Sequence, residues 1–469
     1  MSIRSIIKAV CLVSVFTLCF IFPATVVRAE TKTFIKEYTY QAGDEDSKNS
    51  CRVIALREVK RLLLEELGTY LESETEVKNF QLTKDQIVTL TAGIVRTVLI
   101  EEKWNTANLQ YWLKAKISAN PQDVTKAIDT LRKDRAKVKE LEDLRKKSEE
   151  LLKENERLTK ELKTAKANEK TEAAQAYKQN IDNLSAAEWF EIGYELDISG
   201  NHTEAVKAYG KAIELNPQYA MAYNNRGVAY GKLGNYQQAI KDYNKAIELN
   251  PQLAAAYYNR GAAYDNLGNY QQAIKDFNKA IELNPQDAMV YGNRGIAYRN
   301  LGNYQQAIND FNKAIELNPQ LAAAYYNRGA AYRNLGNYQQ AINDFNKAIE
   351  LNPQEAGAYN RRGNAYADLD NTKQAIKDYN KAIELNPQDA TAYYNRGLVY
   401  GTRGNTKQAI KDYNKAIELN PQYAMAYNNR GIAYHKLGKY QQAIENYKIA
   451  ARLGNQYAQD FLKSEGIEW

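Results

Sequence analysis

The sequence predicts a mainly α-helical protein: a long array of repeated helix pairs, preceded by a coiled coil or long helix and by a small α+β domain. Three observations carry this. Seven prolines, Pro217, Pro251, Pro285, Pro319, Pro353, Pro387 and Pro421, stand 34 residues apart without exception, and a fixed period of that size marks a repeat array. Small residues and aromatics recur at constant places between them. The chain has 36 Tyr against 10 Phe, and four repeat positions hold 24 of those tyrosines, so the surplus belongs to core packing and no dedicated aromatic surface is needed to explain it.

In chain order, residues 1–29 read as a secretory signal. Arg4 and Lys8 supply a positive start, residues 9–22 an apolar run, and Val27 and Ala29 small residues at the −3 and −1 positions of a cut before Glu30. The run is short for a membrane span, which needs about 20 apolar residues. The expectation is an exported protein of the bacterial periplasm or cell envelope, with no integral span after cleavage. Cleavage removes Arg4, Lys8 and Arg28 and lowers the net charge from +7 to +4. So weak a balance argues against nucleic-acid binding. Cys11 and Cys19 leave with the signal, and Cys51 remains in an apolar helical stripe, where it reads as a small buried hydrophobe.

Residues 30–121 form the α+β module. Residues 34–40 read as a strand and 50–71 as an amphipathic helix carrying Ile54, Val59, Leu62, Leu63 and Leu67. Residues 94–104 and 109–119 read as a hairpin across 105–108. This pattern, with residues 75–85 and a strand start at Gly93-Ile94-Val95, resembles N-terminal modules of bacterial envelope proteins such as the flagellar assembly protein T. The resemblance implies an envelope location.

Residues 122–180 are nearly free of helix breakers. Leu141, Leu144, Leu151, Leu158 and Leu162 fit a heptad with Ser148 and Asn155 at the remaining core sites. A buried Asn between leucines sets register and oligomeric state in parallel coiled coils, so one reading is a homodimer through this segment. A single long solvated helix is the other.

The array itself occupies 186–457. With proline at position 32, its eight repeats begin at Ala186, Ala220, Ala254, Ala288, Ala322, Ala356, Ala390 and Ala424. The second carries Tyr223, Gly227, Tyr230, Ala239, Tyr243, Ala246 and Pro251 at positions 4, 8, 11, 20, 24, 27 and 32; the first departs at Leu196. In these residues the chain resembles the tetratricopeptide repeat (TPR) family, which implies an α-solenoid, a right-handed superhelix of helix pairs. The physics agrees. Small residues at 8, 20 and 27 let two helices approach while aromatics fill the space beside them. Gly234 can take the left-handed conformation that ends a helix, and Asn235 with Gln238 offers a capping pair for the next. Asn250-Pro251 stops the second helix. Residues 458–469, with Phe461 and Leu462, supply a terminal element to cover the last apolar face.

For catalysis or metal binding the sequence offers little. His202 and His435 lie at opposite ends of the array, no His/Cys cluster has metal spacing, and phosphate loops, zinc-protease helices and nucleophile elbows are absent from the sequence. Asp44-Glu45-Asp46 lacks the rest of a calcium loop. The reading is a non-enzymatic scaffold with no cofactor and no metal. The resemblance to TPR proteins implies a partner that is a protein or an extended peptide, bound on the inner face formed by positions 2, 5, 6, 9 and 12. Position 6 holds Asn225, Asn259, Asn293, Asn327, Asn395 and Asn429, broken by Glu191 and Arg361. A carboxamide both donates and accepts, and so can hold a peptide backbone whatever its side chains. Tyr258, Tyr326 and Tyr394 at position 5 can add apolar contact, and Arg299, Arg333 and Arg361 can favour acidic segments. The alternative use for these asparagines is to bond neighbouring helices. Uncharged positions 2 and 9 do not match the lysine clamp of TPRs that hold chaperone tails. Finally, Arg at position 7 shares its repeat with Asp at position 23 in six repeats, Arg226 with Asp242 through Arg396 with Asp412, which predicts ion pairs between helices. A structural factor of envelope assembly, acting through the coiled coil and the N-terminal module, is the alternative function.

Overall fold

The computed structural model describes residues 31–43, 46–73, 82–92, 94–95, 97–133, 135–164 and 167–469. The expected signal segment 1–29 and residues Asp44, Glu45 and Gly93 lie outside them, as do the side chains of Leu144 and Ser148. The chain divides into two compact units, Met1–Ser199 and Gly200–Trp469.

In the N-terminal unit, strands β1 (Lys32–Gln41), β2 (Thr97–Asn105) and β3 (Gln110–Ala119) form an antiparallel sheet in the order β1-β3-β2. The alternation along β3 sends Tyr111, Leu113, Ala115 and Ile117 to one face, where all four are fully buried. Helix α1 (Lys48–Ser73) lies on that face and answers with Cys51, Val59, Leu63, Leu67 and Leu71. Strand β2 starts at Thr97 and not at residue 93: Ile94 and Val95 turn back onto Thr91 through hydrogen bonds from both backbone N–H groups. Helix α2 (Lys84–Ala92), unforeseen from sequence, packs on α1. Asp46 is an internal acceptor for Tyr40, Tyr177, Ser50 and the Gly43 amide.

Cys51 is fully buried among these apolar side chains. Burial, reinforced by the nearby charge of Asp46, pushes its thiol up to about 12. Because the thiolate is the reactive form, iodoacetamide at about pH 8 should leave Cys51 untouched in the native chain and modify it after denaturation. Mass spectrometry of the Cys51 peptide reads both states, and equal labelling in the two would overturn the buried assignment.

The leucine stripe finds its partner inside the chain. Asn120 accepts from the Gln122 and Asp123 amides and caps α3 (Pro121–Leu131). It is followed by α4 (Arg135–Thr164) and α5 (Ala167–Ile198). Helices α4 and α5 fold back on each other, and Leu151, Leu158 and Leu162 bury against Ala173, Tyr177, Ile181 and Leu184 of α5, with Val53 and Ile54 of α1 added. The Asn180 carboxamide donates to the Leu151 carbonyl at 3.0 Å and to Asn155 Oδ1 at 3.3 Å. Within the chain the lone solvated helix gives way to an antiparallel hairpin. The reason is topological: a heptad face is satisfied by any complementary apolar helix, and α5 is tethered within a few residues of α4. No helix breaker separates the linker from repeat one, so α5 runs through both.

The C-terminal unit is a solenoid of stacked antiparallel helix pairs. In repeat three the first helix is Ala254–Asn266 and the second Tyr270–Leu283, and repeats two to seven keep the same bounds within their period. Turns between them are glycine-dependent. Gly234 takes φ +75°, its N–H reaches the Gly231 carbonyl at 2.9 Å and the Asn235 N–H reaches Tyr230 at 2.9 Å, the two bonds of a Schellman end. Repeat six places Asp370 there instead, at φ 60°. The expected side-chain cap at Asn235 is not made, nor at Asn269, Asn303 or Asn337. Only Asn371 and Asn405 cap in this way, to the Gln374 and Gln408 amides. The backbone does not decide this, since Asn303 and Asn405 share ψ 63°; the two that cap are followed by Thr372 and Thr406 where the others have tyrosine. A last helix, Gln456–Ser464, closes the stack with Leu462 and Ala458 buried and Phe461 4.7 Å from the Tyr447 ring.

Candidate functional site

In repeats two to seven the first helix packs on its own second helix and also on the first helix of the next repeat, so first helices line the inner layer. On their free side, positions 2 and 9 expose Met289, Leu398, Met425 and Ile432.

Position 6 does more than face solvent. Four of its six asparagines bond position 5 of the preceding repeat, 35 residues back. Asn259 Nδ2 donates to Asn224 Oδ1 at 3.1 Å, Asn293 to the Tyr258 hydroxyl at 2.9 Å, Asn395 to Asn360 Oδ1 at 3.0 Å and Asn429 to the Tyr394 hydroxyl at 2.9 Å. Asn225 is buried and accepts from Asn224. Asn327 meets Gly292 at the corresponding place, which has no side chain; it donates to the Ala323 carbonyl and accepts from Arg299 Nη1 at 2.5 Å. Glu191 of repeat one belongs to the N-terminal unit, where it pairs with Lys60 at 2.7 Å and Arg57 at 3.3 Å. The asparagines thus stitch repeats together, and those of repeats three, four and seven keep the carboxamide oxygen unbonded among the described residues.

The position 5 tyrosines turn their rings toward the second helix: Tyr258 lies 6.1 Å from Phe277, Tyr326 6.0 Å from Phe345 and Tyr394 6.0 Å from Tyr413. Tyr394 is buried, so its ring is structural. The arginines differ from one another. Arg333 is paired with Asp368 at 2.6 Å, whereas Arg299 and Arg361 meet no carboxylate within ion-pair distance among the described residues.

Behind this row stand the predicted ion pairs. Arg226, Arg260, Arg294, Arg328, Arg362 and Arg396 each grip the Asp of their own repeat through Nε and Nη2, with closest contacts between 2.5 and 2.7 Å. From repeat three onward Nη1 donates to Asn at position 25 of the preceding repeat, as Arg294 does to Asn278 at 2.7 Å. Each guanidinium also lies over the position 4 tyrosine, Arg294 5.5 Å from the Tyr291 centroid, which gives that ring a role beyond packing.

A model of the tetratricopeptide repeat matches residues 220–253, 254–287, 288–321, 322–355 and 424–455, and a second TPR repeat model matches 193–234, 363–404 and 402–438, together more than half of the chain. The chain belongs to the tetratricopeptide repeat family. Among solved structures it is similar to YrrB, described as a TPR protein with an unusual peptide-binding site (28% identity, 40% of this chain and 96% of that one, TM-score 0.36). It is also similar to a TPR protein from Parabacteroides merdae (24%, 53% and 98%, 0.44) and to MamA (31%, 35% and 96%, 0.33). A search of the curated proteins gives no match.

As a TPR array, the unit is a protein–protein interaction scaffold. Among the described residues no three His, Cys, Asp or Glu side chains converge as a metal site, and no helix is long and apolar enough to cross a membrane. Sequence reasoning missed Asn224 and Asn360, the buried partners of the row, and Asp368. Their signal was present: position 5 alternates Asn or Gly with Tyr from repeat two onward.

Proposed function

We propose that the inner face of the TPR array binds an extended peptide or protein segment and that the chain serves as a non-enzymatic scaffold, exported to the cell envelope as residues 1–29 imply. One observation supports the binding reading above the rest. Asn259, Asn293 and Asn395 are held by one N–H each, which fixes their orientation, while the carboxamide oxygens carry no bond among the described residues. Acceptors held in a repeating row lose little freedom on meeting a backbone, and the exposed Met289, Leu398 and Ile432 add apolar surface beside them. Export and the identity of the segment are proposals of the same kind.

The test is an array of short immobilised peptides probed with the full-length chain and with a variant carrying Asn259→Ala, Asn293→Ala and Asn395→Ala. Each lost bond weakens binding by roughly 0.5–1.5 kcal/mol, so true ligands should lose well over tenfold in affinity. Since the same side chains join repeats, melting is followed in parallel, and affinity is compared well below the melting temperature. Peptides that bind both proteins equally would refute the row as a ligand site.

A further inference from the structure

The three arginines of the inner face carry the same charge in different circumstances. Arg333 donates through Nε to Asp368, so its charge is answered within the fold. Arg299, at position 12 of repeat four, is half-buried; its Nη1 donates to Asn327 Oδ1 at 2.5 Å and its Nη2 to Asn300 Oδ1 at 3.3 Å. Arg361, at position 6 of repeat six, is exposed, and its Nε donates to the Tyr326 hydroxyl at 3.4 Å. Tyr326 and Asn327 are consecutive residues of repeat five. The two guanidiniums therefore approach one dipeptide from the repeats on either side of it.

Among the described residues no carboxylate lies within ion-pair distance of either guanidinium. Burial and then the charge of Arg361 hold the Arg299 guanidinium below its ordinary range. Asp265, at position 12 of repeat three, acts on Arg299 from beyond ion-pair reach, and burial raises its own carboxyl. Glu355 caps its own helix at the Gly357 amide, 3.3 Å away. The four terminal N–H groups of Arg361 make no hydrogen bond among the described residues. A guanidinium offers five donors in a planar fork that matches a carboxylate, and charge-assisted bonds of this kind are the strong ones.

We propose that the inner face between repeats four and six receives an acidic side chain of the bound segment, its carboxylate held by Arg299 and Arg361 beside Tyr326 and Asn327. This rests on the peptide-binding reading and specifies its ligand: an extended peptide with an acidic residue inside it. A side chain fits better than a chain terminus, because the asparagine row continues on both sides of the pair, at Asn293 and at Asn395.

Fluorescence anisotropy with the full-length chain tests this with three labelled probes: hexaglutamate blocked at both ends, hexaglutamine blocked at both ends, and hexaglutamine with a free C-terminal carboxylate. The blocked hexaglutamate should bind tightest. Replacing Arg299→Gln and Arg361→Gln together should cost it about tenfold or more, while Arg333→Gln, whose charge is already matched, should stay within about twofold of the parent. If the Gln pair melts lower, the Arg299→Lys and Arg361→Lys pair keeps the charge and should retain most of the affinity. Hexaglutamate binding that is absent, or unmoved by the Gln pair, overturns the proposal. So does tighter binding of free-ended hexaglutamine, which would point to a terminal carboxylate. Blocked hexaglutamine reads the asparagine row alone, so its loss in the triple Asn variant would show the peptide-binding reading surviving a failure of the acidic site.

Discussion

Asp310→Ala should destabilise the array by about 2–4 kcal/mol, the largest single-residue loss expected in the repeats. Asp310 is buried, 6% exposed, and accepts both Nε and Nη2 of Arg294 at 2.8 and 2.5 Å. Removing one member of a buried pair leaves the other charge without compensation, which costs about 3–5 kcal/mol when burial is complete. Here the arginine side chain keeps 19% exposure, a bond to Asn278 and the Tyr291 ring, so the loss is smaller. The chain carries its own control. Repeat eight has Asn446 in place of the aspartate, and Arg430 donates to it at 2.8 Å. Asp310→Asn should therefore cost less than Asp310→Ala, and Arg294→Leu with Asp310→Leu should recover part of the loss by removing both charges. Urea unfolding followed by circular dichroism measures all three at unchanged m-value. An alanine variant within about 0.5 kcal/mol of the parent would mean the pairs contribute nothing.

Gly261→Ala should destabilise by about 1–2 kcal/mol, against the helix preference of about 1 kcal/mol that favours alanine. An added Cβ would stand 2.8 Å from Phe277 Cε1 and 3.2 Å from the Ala273 carbonyl oxygen. Phe277 is fully buried and packed against Tyr258, so neither the ring nor the backbone can withdraw cheaply, and overpacking costs about 1–3 kcal/mol. Gly268 makes the contrast. Nothing lies within 4 Å of its Cβ direction, but its φ is +75°, so Gly268→Ala should lose about 1 kcal/mol through backbone strain alone. The two mechanisms separate on adding Phe277→Leu, which should soften the first loss and leave the second unchanged. Thermal unfolding of the four variants reads this, and a Gly261→Ala chain as stable as the parent would remove close helix approach as the reason for glycine at position 8.

Most of the fold was legible because it is written in local, repeated chemistry. Proline every 34 residues ends seven of the eight second helices by denying the preceding residue helical geometry, and Asn250 accordingly sits at φ −139°. Gly234 is needed where the backbone enters the left-handed region. Arg and Asp at positions 7 and 23 pair within a repeat in every case where both occur, and comparing repeats within one chain was enough to foresee it. The first strand, the long helix after it and the hairpin were visible in alternation and in helical spacing, with ends shifted by a few residues.

The sequence by itself therefore determined the repeat, its two helices, the turn between them and the charge pairs, since each depends on residues a fixed short distance apart. Tertiary structure alone decided which surfaces meet. A stripe of Leu151, Leu158 and Leu162 asks only for an apolar partner, and proximity supplied α5 of the same chain. An asparagine at position 6 can face a ligand or a neighbour, and bonding 35 residues back resolves that choice one N–H at a time, in favour of the neighbour at Asn259, Asn293, Asn395 and Asn429. Arg299, Arg333 and Arg361 are alike as letters; only the stacking of repeats brings Asp368 to Arg333 and leaves the other two with no carboxylate in ion-pair distance among the described residues. Hydrogen-bond and charge satisfaction act over a few ångströms between side chains that the period places near each other, and the period does not say which of several competing groups arrives.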